Sequence, residues 1–434
     1  MQPQALPGFR DFYPADLALR DHIFRTWRQV ATRYGFEEYD GPPLEPLELY
    51  TAKSGAEIVG QLYSFTDKGG REVSLRPEMT PTLARMVAAR ANGLKKPIRW
   101  FSIPQLFRYE RQQRGRLREH FQLNCDLIGE AGHLADAEIV ALAIDAARAF
   151  GLGPRDVRVR LSDRRLLAAV LGALEVGEAQ VPTVYQVFDK LRRTAEETSV
   201  RRLSEAGLAP AVVDRLLAVA RARSWPDLVR VDPALAGALA EGDVLRRAFA
   251  ALEAMGFGEY LDLDLGIVRG LAYYTGTVFE LFDARGELRA ICGGGRYDNL
   301  LESLGGVDLP ALGFGMGDVV LGELLRERGL APAHAPSVDV FLAAITQEDL
   351  SHVLGLAREL RDAGLRVEYA LAPQAVGKQL KLADARGARV AVVVGPDDRA
   401  RGEAMVKDLL GKAQESVARA AVRAHVARIV GPAV

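Results

Sequence analysis

One stretch of the chain, residues 104–129 (PQLFRYERQQRGRLREHFQLNCDLIG), combines a strand pattern with a high density of positive charge. Apolar and polar residues alternate along its second half, in the order Phe121, Gln122, Leu123, Asn124, Cys125, Asp126 and Leu127. This period of two predicts a β-strand with one apolar and one polar face. Five arginines precede the strand within eleven residues, around a possible turn at Gly115: Arg108, Arg111, Arg114, Arg116 and Arg118.

A polar strand face that ends in a carboxylate, next to an arginine-rich loop, suits a ligand that carries both a cation and phosphates. Asp126 supplies the carboxylate and Gln122 a neutral polar group on the same face. The alternative is a solvent-exposed edge hairpin, because runs of charge most often form hydrated surface. Other segments of the chain are needed to choose between the two.

Residues 107–122 closely resemble motif 2 of the class II aminoacyl-tRNA synthetases, in the form found in the histidyl-tRNA synthetase family. The family pattern is FR-(H/Y)-ER-P-Q-x-GR-x-RxF-x-Q. Gln112 stands where proline is common, and His120-Phe121 reverses the usual order of the two residue types. The resemblance implies that Arg108 binds the α-phosphate of ATP and that Arg116 faces the outer phosphates, with Mg²⁺ sharing their charge.

Length and composition are those of an ordinary globular protein of two or three domains: 434 residues, 49% hydrophobic, 26% charged, with a formal net charge of −1. A near-neutral chain argues against a general nucleic-acid or membrane coat, so an RNA site would be a local patch. Cys125 and Cys292 stand apart, which predicts no disulfide framework and no zinc cluster. We expect no membrane span and no signal peptide, and a cytoplasmic protein.

Near the N-terminus, Asp16 is predicted to cap a helix over residues 17–34, with an apolar stripe of Leu19, Ile23, Trp27 and Val30. Gly35 ends it, and a short strand over residues 36–39 leads into Gly41-Pro42-Pro43. This order resembles class II motif 1, which implies a homodimer. Any amphipathic helix followed by a turn would look similar.

The segment EVSLRPEMT, residues 72–80, predicts a strand followed by a helix to about residue 91. Glu78 and Thr80 lie at the strand-to-helix junction, where loops often carry functional groups. They could simply be capping groups of the helix. The segment resembles the RPExT loop of the family, which implies that Glu78 and Thr80 bind the α-ammonium of the amino acid.

Residues 261–280 (LDLDLGIVRGLAYYTGTVFE) predict an alternating strand that leads to Arg269. They resemble the histidine-specific RGLDYY motif, with Ala272 where aspartate is usual. Arg269 would then face the substrate carboxylate as a catalytic group, and it cannot lose its charge by deprotonation. Tyr273 and Tyr274 would frame the imidazole. The alternative is an arginine in a surface turn.

Three consecutive glycines in residues 290–301 (AICGGGRYDNLL) allow backbone to approach a ligand or another strand closely. The segment matches neither a P-loop nor a dinucleotide fingerprint. It resembles the second histidine-specific motif of the family. Residues 313–317 (GFGMG) resemble the start of motif 3, but Val320 takes the place of the usual arginine, which leaves open how the γ-phosphate of ATP is held.

Proline and alanine in residues 326–337 predict a linker between domains. We expect a catalytic α+β domain over residues 1–330, with a mostly antiparallel sheet and a helical insertion at about 164–252. The alternating pattern of residues 337–434 predicts a small α/β domain whose terminal helix starts near Gln414. It resembles the anticodon-binding domain of class II synthetases, so Lys378 and Lys381 could contact RNA phosphates, or be plain surface lysines.

The resemblance therefore implies an ATP-dependent ligase that activates histidine and transfers it to its tRNA. The polar face of Gln122 and Asp126 would contact the ammonium and imidazole side of the amino acid. Two other interpretations remain. A non-catalytic histidine-sensing regulatory subunit of ATP phosphoribosyltransferase would explain Val320 and Ala272. A general RNA-binding scaffold would explain the basic hairpin but not the polar strand.

Overall fold

The computed structural model describes residues 4–51, 59–111, 113–191, 194–267, 273–286, 288–333 and 338–431. The chain separates into two compact units, Met1–Pro332 and Ala333–Val434. Among the described residues, no helix has the length and apolar character needed to cross a bilayer.

The first unit is built on strands that alternate with helices along the chain. Its strands are Glu37–Glu38 (β1), Leu44–Pro46 (β2), Tyr63–Thr66 (β3), Glu72–Leu75 (β4), Ile98–Ser102 (β5), Gln105–Phe107 (β6), Glu119–Ile128 (β7), Val157–Asp163 (β8), Leu261–Leu263 (β9), Thr277–Asp283 (β10), Cys292–Arg296 (β11) and Ala311–Gly317 (β12). Its α-helices within the described ranges are Pro14–Arg33 (α1), Glu48–Thr51 (α2), Thr80–Arg90 (α3), His133–Arg148 (α4), Arg164–Ala173 (α5), Val181–Lys190 (α6), Glu196–Glu205 (α7), Pro210–Arg221 (α8), Trp225–Val231 (α9), Leu235–Ala238 (α10), Asp243–Ala254 (α11), Leu300–Gly305 (α12) and Asp318–Glu327 (α13).

A nine-stranded sheet carries this unit, in the order β1-β5-β7-β12-β11-β10-β8-β9, with β6 paired to the start of β7. The pairs β1/β5 and β8/β9 are parallel, and the other pairs of the sheet are antiparallel. The predicted mostly antiparallel sheet is therefore confirmed. Strand β7 has neighbours on both sides, so its polar residues, including Gln122 and Asp126, lie inside the sheet and not on a solvent-exposed edge.

The glycine triplet of β11 is required by packing. A Cβ atom on Gly294 would lie 2.5 Å from the carbonyl oxygen of Gly313 and 2.7 Å from the ring of Phe279. Real Cβ atoms do not approach other atoms so closely, so any larger residue would push β11 away from its neighbours. The close approach occurs between strands, which is one of the two possibilities that the sequence left open.

Helix α1 shows the predicted apolar stripe, with Leu19, Ile23, Trp27 and Val30 buried. The predicted cap is wrong: Tyr13 is the N-cap residue, Pro14 opens the helix, and Asp16 lies in the first turn. Proline suits this position because the first helical N–H has no partner within the helix.

Helices α5–α11 occupy most of the described part of residues 164–252, for which the sequence predicts a helical insertion. Three of the four prolines in this region begin helices, since Pro182, Pro210 and Pro226 each stand at the first or second position of a helix. The apolar faces of these helices join the same core as β7, β8 and α4.

The second unit is a five-stranded sheet in the order β14-β13-β15-β16-β17. Its strands are Val340–Ala344 (β13), Val367–Tyr369 (β14), Val390–Val394 (β15), Glu403–Asp408 (β16) and Ala413–Ala418 (β17), and its α-helices are Leu350–Asp362 (α14), Val376–Ala385 (α15), Pro396–Arg401 (α16) and Val422–Val430 (α17). The α/β pattern is confirmed. The helix predicted from Gln414 is wrong, because residues 413–418 pair with β16 along their whole length and the last helix starts at Val422.

Candidate functional site

A cavity of about 970 Å³ lies in the first unit, against the central strands β7, β12, β11 and β10. Every predicted site residue that the structure describes lines this one cavity: Glu78, Thr80, Arg108, Arg116, Gln122, Asp126, Tyr273 and Tyr274. These residues come from a strand-to-helix junction, an arginine hairpin, a strand face and a loop that are far apart in sequence. The fold brings them together in a single site.

Two of the buried carboxylates that line the cavity are each hydrogen-bonded to a tyrosine. Tyr273 donates its hydroxyl hydrogen to Glu78 Oε2 at 2.8 Å, and Tyr297 donates to Asp126 Oδ1. Glu78 is 3% exposed and Asp126 is 4% exposed. A carboxylate held in this way can accept hydrogen bonds from an ammonium or an imidazole N–H at its remaining lone pairs. The site therefore has acceptors for a small dibasic ligand.

The protonation of Asp126 is controlled by its surroundings. Burial raises the pKa of Asp126 to about 7, and the hydrogen bond from Tyr297 acts in the opposite direction. Burial also raises the pKa of Tyr273 and of Tyr297 well above that of a free tyrosine, so both phenols keep their hydrogens and act as donors. The carboxyl group is consequently the member of this pair that changes charge near neutral pH.

Tyr273 also connects the two residues at the start of α3. Besides its bond to Glu78, its hydroxyl interacts with Thr80, which acts to lower the pKa of Tyr273 while burial raises it. Met79 is the N-cap residue of the helix and makes no side-chain capping bond. The side chain of Glu78 therefore points to the cavity and to Tyr273, which supports a binding role over the capping alternative.

Three tyrosines of the lining pack against one another. The ring centroid of Tyr273 lies 5.6 Å from that of Tyr274 and 5.9 Å from that of Tyr297, both in edge-to-face geometry. Sequence reasoning assigned no role to Tyr297, although it directly follows the glycine-rich strand of the GGGRYD segment. The signal that could have identified Tyr297 as a site residue is its position two residues after the glycine triplet.

Glycines of β12 keep space open beside the polar face of β7. Gly313 is paired with Asp126 and Gly315 with Asn124 in the antiparallel register. A Cβ atom on Gly315 would lie 2.5 Å from the side-chain amide carbon of Gln122, and one on Gly313 would overlap the carboxylate of Asp126. Residues 313–317 thus leave room for the side chains that face the cavity.

The arginines of the hairpin separate into two groups. Arg108 and Arg116 line the cavity, where Arg108 Nε donates to the carbonyl oxygen of Pro77 at 2.8 Å and Arg116 forms an ion pair with Glu110. Arg114 instead pairs with Glu323 and Glu327 of α13, and Arg118 lies 4.1 Å from the ring centre of Tyr109.

Positive charge at this end of the cavity also acts on His120. Burial, together with Arg108, Arg10 and Arg116, lowers the pKa of His120 to about 3, so its imidazole is neutral at physiological pH. Anionic ligands would be favoured here because the neighbouring guanidinium groups remain charged. Arg108, Arg10 and Arg116 thus keep His120 in a positively charged environment.

The structure shows the surroundings of Val320, which takes the place of the usual motif 3 arginine. Val320, on the first turn of α13, lines the cavity, and Asp318 at the start of the helix accepts hydrogen bonds from Arg10 Nη1 at 2.8 Å and from the backbone N–H of Phe121 at 2.8 Å. Asp318 therefore connects the N-terminal segment, β7 and α13. No charge is available at position 320.

Arg269, the predicted catalytic arginine, lies outside the described residues. The strand expected to lead to it is shorter than predicted: β9 ends at Leu263, and Asp264 then accepts the backbone N–H groups of Gly266 and Ile267 in a turn. The strand prediction was too long because aspartate and leucine alternate as far as Leu265, whereas the backbone turns after Leu263.

The helical insertion also reaches the cavity, which the sequence did not indicate. Arg221 and Arg223 at the end of α8 belong to the lining, and Arg223 Nη1 lies 3.4 Å from Asp264 Oδ1.

Among the described residues there is no group of three or more histidine, cysteine, aspartate or glutamate side chains placed to hold a metal ion.

Comparison with known proteins agrees with this geometry. The family model "Histidyl-tRNA synthetase" matches residues 8–317, and the model "Anticodon binding domain" matches residues 339–429. The histidine–tRNA ligase of Opitutus terrae is 48% identical over 427 residues, covering 98% of this chain and 98% of that protein. The chloroplastic/mitochondrial histidine–tRNA ligase of Arabidopsis thaliana is 39% identical over 402 residues, covering 93% and 82% of the two chains.

Solved structures show the same architecture. The crystal structure of histidyl-tRNA synthetase from Nostoc sp. PCC 7120 superposes with a TM-score of 0.83 at 26% identity, covering 99% of both chains. The match to a Bacillus halodurans structure described as an ATP phosphoribosyltransferase regulatory subunit/histidyl-tRNA synthetase has a TM-score of 0.75 at 23% identity, over 91% of this chain and 98% of that one, and it reflects a shared fold. With the class II fold, the cavity and the near full-length relatives in agreement, this chain belongs to the histidyl-tRNA synthetase family of aminoacyl-tRNA synthetases.

Proposed function

We propose that this protein is a histidine–tRNA ligase, which activates histidine with ATP to histidyl-adenylate and transfers the histidyl group to the 3′ end of tRNA(His). The observation that carries the proposal is a single cavity whose lining combines the buried carboxylates of Glu78 and Asp126 with the guanidinium groups of Arg108 and Arg116. Histidine offers an ammonium and an imidazole to the carboxylates, while ATP offers phosphates to the arginines. Family membership supports this assignment.

On the amino-acid side, Glu78 and Thr80 would hold the α-ammonium, with Tyr273 fixing the Glu78 carboxylate. Asp126 and Gln122 would face the ammonium and imidazole side of the ligand. Tyr273 and Tyr274 would frame the imidazole ring. The buried Asp126 carboxylate favours a ligand with an N–H donor, because an unpaired buried acceptor is costly.

Adenylate formation requires no nucleophile from the protein. A carboxylate oxygen of histidine attacks the α-phosphorus of ATP, the bond to the bridging oxygen breaks, and pyrophosphate leaves with that electron pair. Arg108 would bind the α-phosphate, and Arg269 would stand between the two anionic reactants. Positioning of the reactants and neutralisation of the charge that develops account for the acceleration.

ATP enters the site as its Mg²⁺ complex, with Arg116 directed to the outer phosphates. The metal belongs to the substrate complex and is carried by the phosphates. Arg116 is already paired with Glu110, so that carboxylate would orient the guanidinium toward the nucleotide. The proposal thus assigns ATP and Mg²⁺ as the nucleotide and its cation.

The second unit would bind the anticodon stem of the tRNA, in agreement with its family model. We take residues 337–434 as this anticodon-binding domain and residues 1–330 as the catalytic domain, with the insertion at about 164–252. Lys378 and Lys381 are exposed on α15, where they could contact RNA phosphates. Through its motif 1 resemblance we propose a homodimer, acting in the cytoplasm.

Val320 is the one structural observation that favours the regulatory alternative, a histidine sensor without catalysis. Sensing histidine would not require Arg108 and Arg116 in the same cavity or a domain of the anticodon-binding family, so catalysis is the better account. Histidine-dependent exchange of pyrophosphate into ATP distinguishes the two. A ligase shows exchange and charges tRNA(His), whereas a sensor binds histidine and shows no exchange.

Two matched variants sharpen this assay. Asp126→Asn keeps the size of the side chain but removes the acceptor charge in the cavity, and it should raise the histidine concentration needed for exchange. Glu302→Gln makes the same chemical change on an exposed side chain of α12 and should leave exchange at the parent level. Exchange that is independent of histidine, or equal in both variants, would contradict the assignment.

A further inference from the structure

One part of the cavity wall is formed where the hairpin turn meets two other side chains. A Cβ atom on Gly115 would lie 3.2 Å from Cγ2 of Val320 and 3.9 Å from Cδ of Arg289. Val320 and Arg289 therefore flank the same point of the turn. A second cavity of about 250 Å³ adjoins this point and is lined by Gly115, Arg289 and Val320 together with Arg114.

Arg289 lies in the loop that precedes β11, and its side chain contacts the hairpin. Its Nη2 atom donates a hydrogen bond to Oε1 of Gln113 at 2.5 Å, and the side chain is half-buried. It lines the large cavity that also contains Arg108 and Arg116. Arg289 thus brings a guanidinium group from the β10–β11 connection to the wall at which Val320 has no charge.

Two arginines of the hairpin are held by carboxylates. Arg116 shares its charge with Glu110, and Arg114 is paired with Glu323 and Glu327 of α13. Val320 contributes only methyl groups. A guanidinium group suits phosphate oxygens because it donates two parallel hydrogen bonds in a planar geometry.

We propose that Arg289 binds the outer phosphates of ATP and supplies the positive charge that position 320 lacks. The inference rests on the proposed function, since it places ATP in this cavity. The hydrogen bond to Gln113 holds the guanidinium at the hairpin before the nucleotide arrives. On binding, phosphate oxygens would add charged acceptors beside Gln113, and hydrogen bonds to charged acceptors are the stronger ones.

The direct test measures binding of MgATP and of AMP to the full-length protein by calorimetry, without any turnover. Arg289→Ala should weaken MgATP binding by roughly 10- to 100-fold, as expected for loss of charge-assisted hydrogen bonds. AMP has no outer phosphates, so its affinity should stay at the parent level, and histidine affinity should also be unchanged. Arg289→Lys should recover part of the loss, because it retains the charge but not the planar fork.

Arg285→Ala is the matched control. Arg285 is exposed in the same connection, does not line the cavity, and its removal changes the net charge by the same amount. It should bind MgATP as the parent does. Equal MgATP affinities for Arg289→Ala and Arg285→Ala, or an equal loss for AMP and MgATP in Arg289→Ala, would overturn the inference.

The pyrophosphate exchange assay separates this inference from the proposed function. If the parent shows no histidine-dependent exchange, the ligase assignment fails, while selective loss of MgATP affinity in Arg289→Ala still supports a phosphate-binding arginine. If the parent shows exchange and Arg289→Ala has the parent KM for ATP and the parent affinity for MgATP, the ligase assignment holds and the role of Arg289 is refuted.

Discussion

Tyr297 donates a hydrogen bond to the carboxylate of Asp126 inside the cavity, although 171 positions separate the two residues in the chain. Asp126 lies on β7 and Tyr297 follows β11, with β12 between them in the sheet. Both side chains are buried. The phenol therefore controls the orientation and the charge of a carboxylate that we assign to histidine binding.

We predict that Tyr297→Phe weakens histidine binding by about 1–3 kcal/mol, or roughly 5- to 150-fold, because it removes a donor from a buried acceptor. The loss of the hydroxyl also removes an interaction that lowers the pKa of Asp126, so this pKa should rise further. Calorimetric titration with histidine measures the first effect. The affinity for MgATP is the internal control and should be unchanged.

Tyr273→Phe is the comparison for this variant, because it removes a hydroxyl donor from Glu78 instead. Imidazolepropionate, which lacks the α-ammonium, should lose affinity in Tyr297→Phe and much less in Tyr273→Phe. Histidine affinity at the parent value in Tyr297→Phe would show that the phenol does not support the binding carboxylate.

The pKa of Asp126 leads to a pH dependence of folding stability. An unfolded aspartate has a pKa of about 3.9, whereas burial raises the pKa of Asp126 in the folded protein to about 7. Between these values the folded state binds more protons than the unfolded state, so this group's contribution to stability is complete below about pH 4. It decreases as pH rises, by up to about 1.4 kcal/mol per pH unit, and is lost once the pH passes about 7.

Urea unfolding of the parent and of Asp126→Asn between pH 5 and 8 measures this contribution. The asparagine cannot ionise, so the stability of the parent relative to the variant should fall steadily up to about pH 7 and then level off. A constant difference over this range would mean that the carboxyl is already ionised at pH 5 in the folded protein.

The local parts of the site could be predicted from the sequence, since the alternating strand pattern identified Gln122 and Asp126 and the family resemblance identified Glu78, and all three lie in one cavity. The contact between Tyr297 and Asp126 could not be predicted from a local pattern. It depends on the order of β7, β12 and β11 in the sheet, which follows from pairing between distant segments. The partners of the hairpin arginines are likewise set by the position of α13.

The fold predictions that were wrong failed for the same reason. Residues 413–418 have alanine and glutamate spacing compatible with a helix, but pairing with β16 makes them a strand. Helix propensity is a small term per residue, and the hydrogen bonds of a complete strand pairing outweigh it. The turn after Leu263 is similar, because Asp264 accepts backbone N–H groups that would otherwise continue the strand ladder.

The GGGRYD segment contributes to stability as well as to the cavity. Arg296 and Asp136 form a buried bidentate pair, with Nη2–Oδ2 at 2.7 Å and Nε–Oδ1 at 3.2 Å, and their side chains are 2% and 1% exposed. Arg296 also donates to the carbonyl oxygen of Glu130 at 3.0 Å. The pair joins the end of β11 to the first turn of α4.

We predict that Arg296→Met lowers the free energy of unfolding by about 3–5 kcal/mol, because it leaves the Asp136 carboxylate buried without its partner. The double variant Arg296→Met/Asp136→Leu removes both charges and should recover most of that loss. Urea denaturation monitored by tryptophan fluorescence gives both values. A double variant no more stable than Arg296→Met would show that the loss comes from packing and not from the unpaired charge.

The mechanism is tested most directly at Arg269, whose role is a prediction from the sequence. Adenylate formation brings the histidine carboxylate to the α-phosphate, and these two anions repel each other. A guanidinium group between them, on the opposite side from Arg108, would relieve the repulsion and neutralise the charge that develops on the pentacoordinate phosphorus. A preorganised donor of this kind contributes about 2.7–4 kcal/mol, or roughly 10²–10³ in rate.

Arg269→Ala should therefore slow single-turnover adenylate formation by roughly 10²–10³-fold, with a much smaller change in histidine affinity, because the interaction strengthens as charge develops. Arg269→Lys retains the charge without the planar fork and should recover part of the rate. Arg285→Ala, an exposed arginine away from the cavity, should react at the parent rate. A folded Arg269→Ala protein that binds histidine and forms adenylate as fast as Arg285→Ala would refute the assignment, because charge neutralisation between the reactants would then have to come from another group.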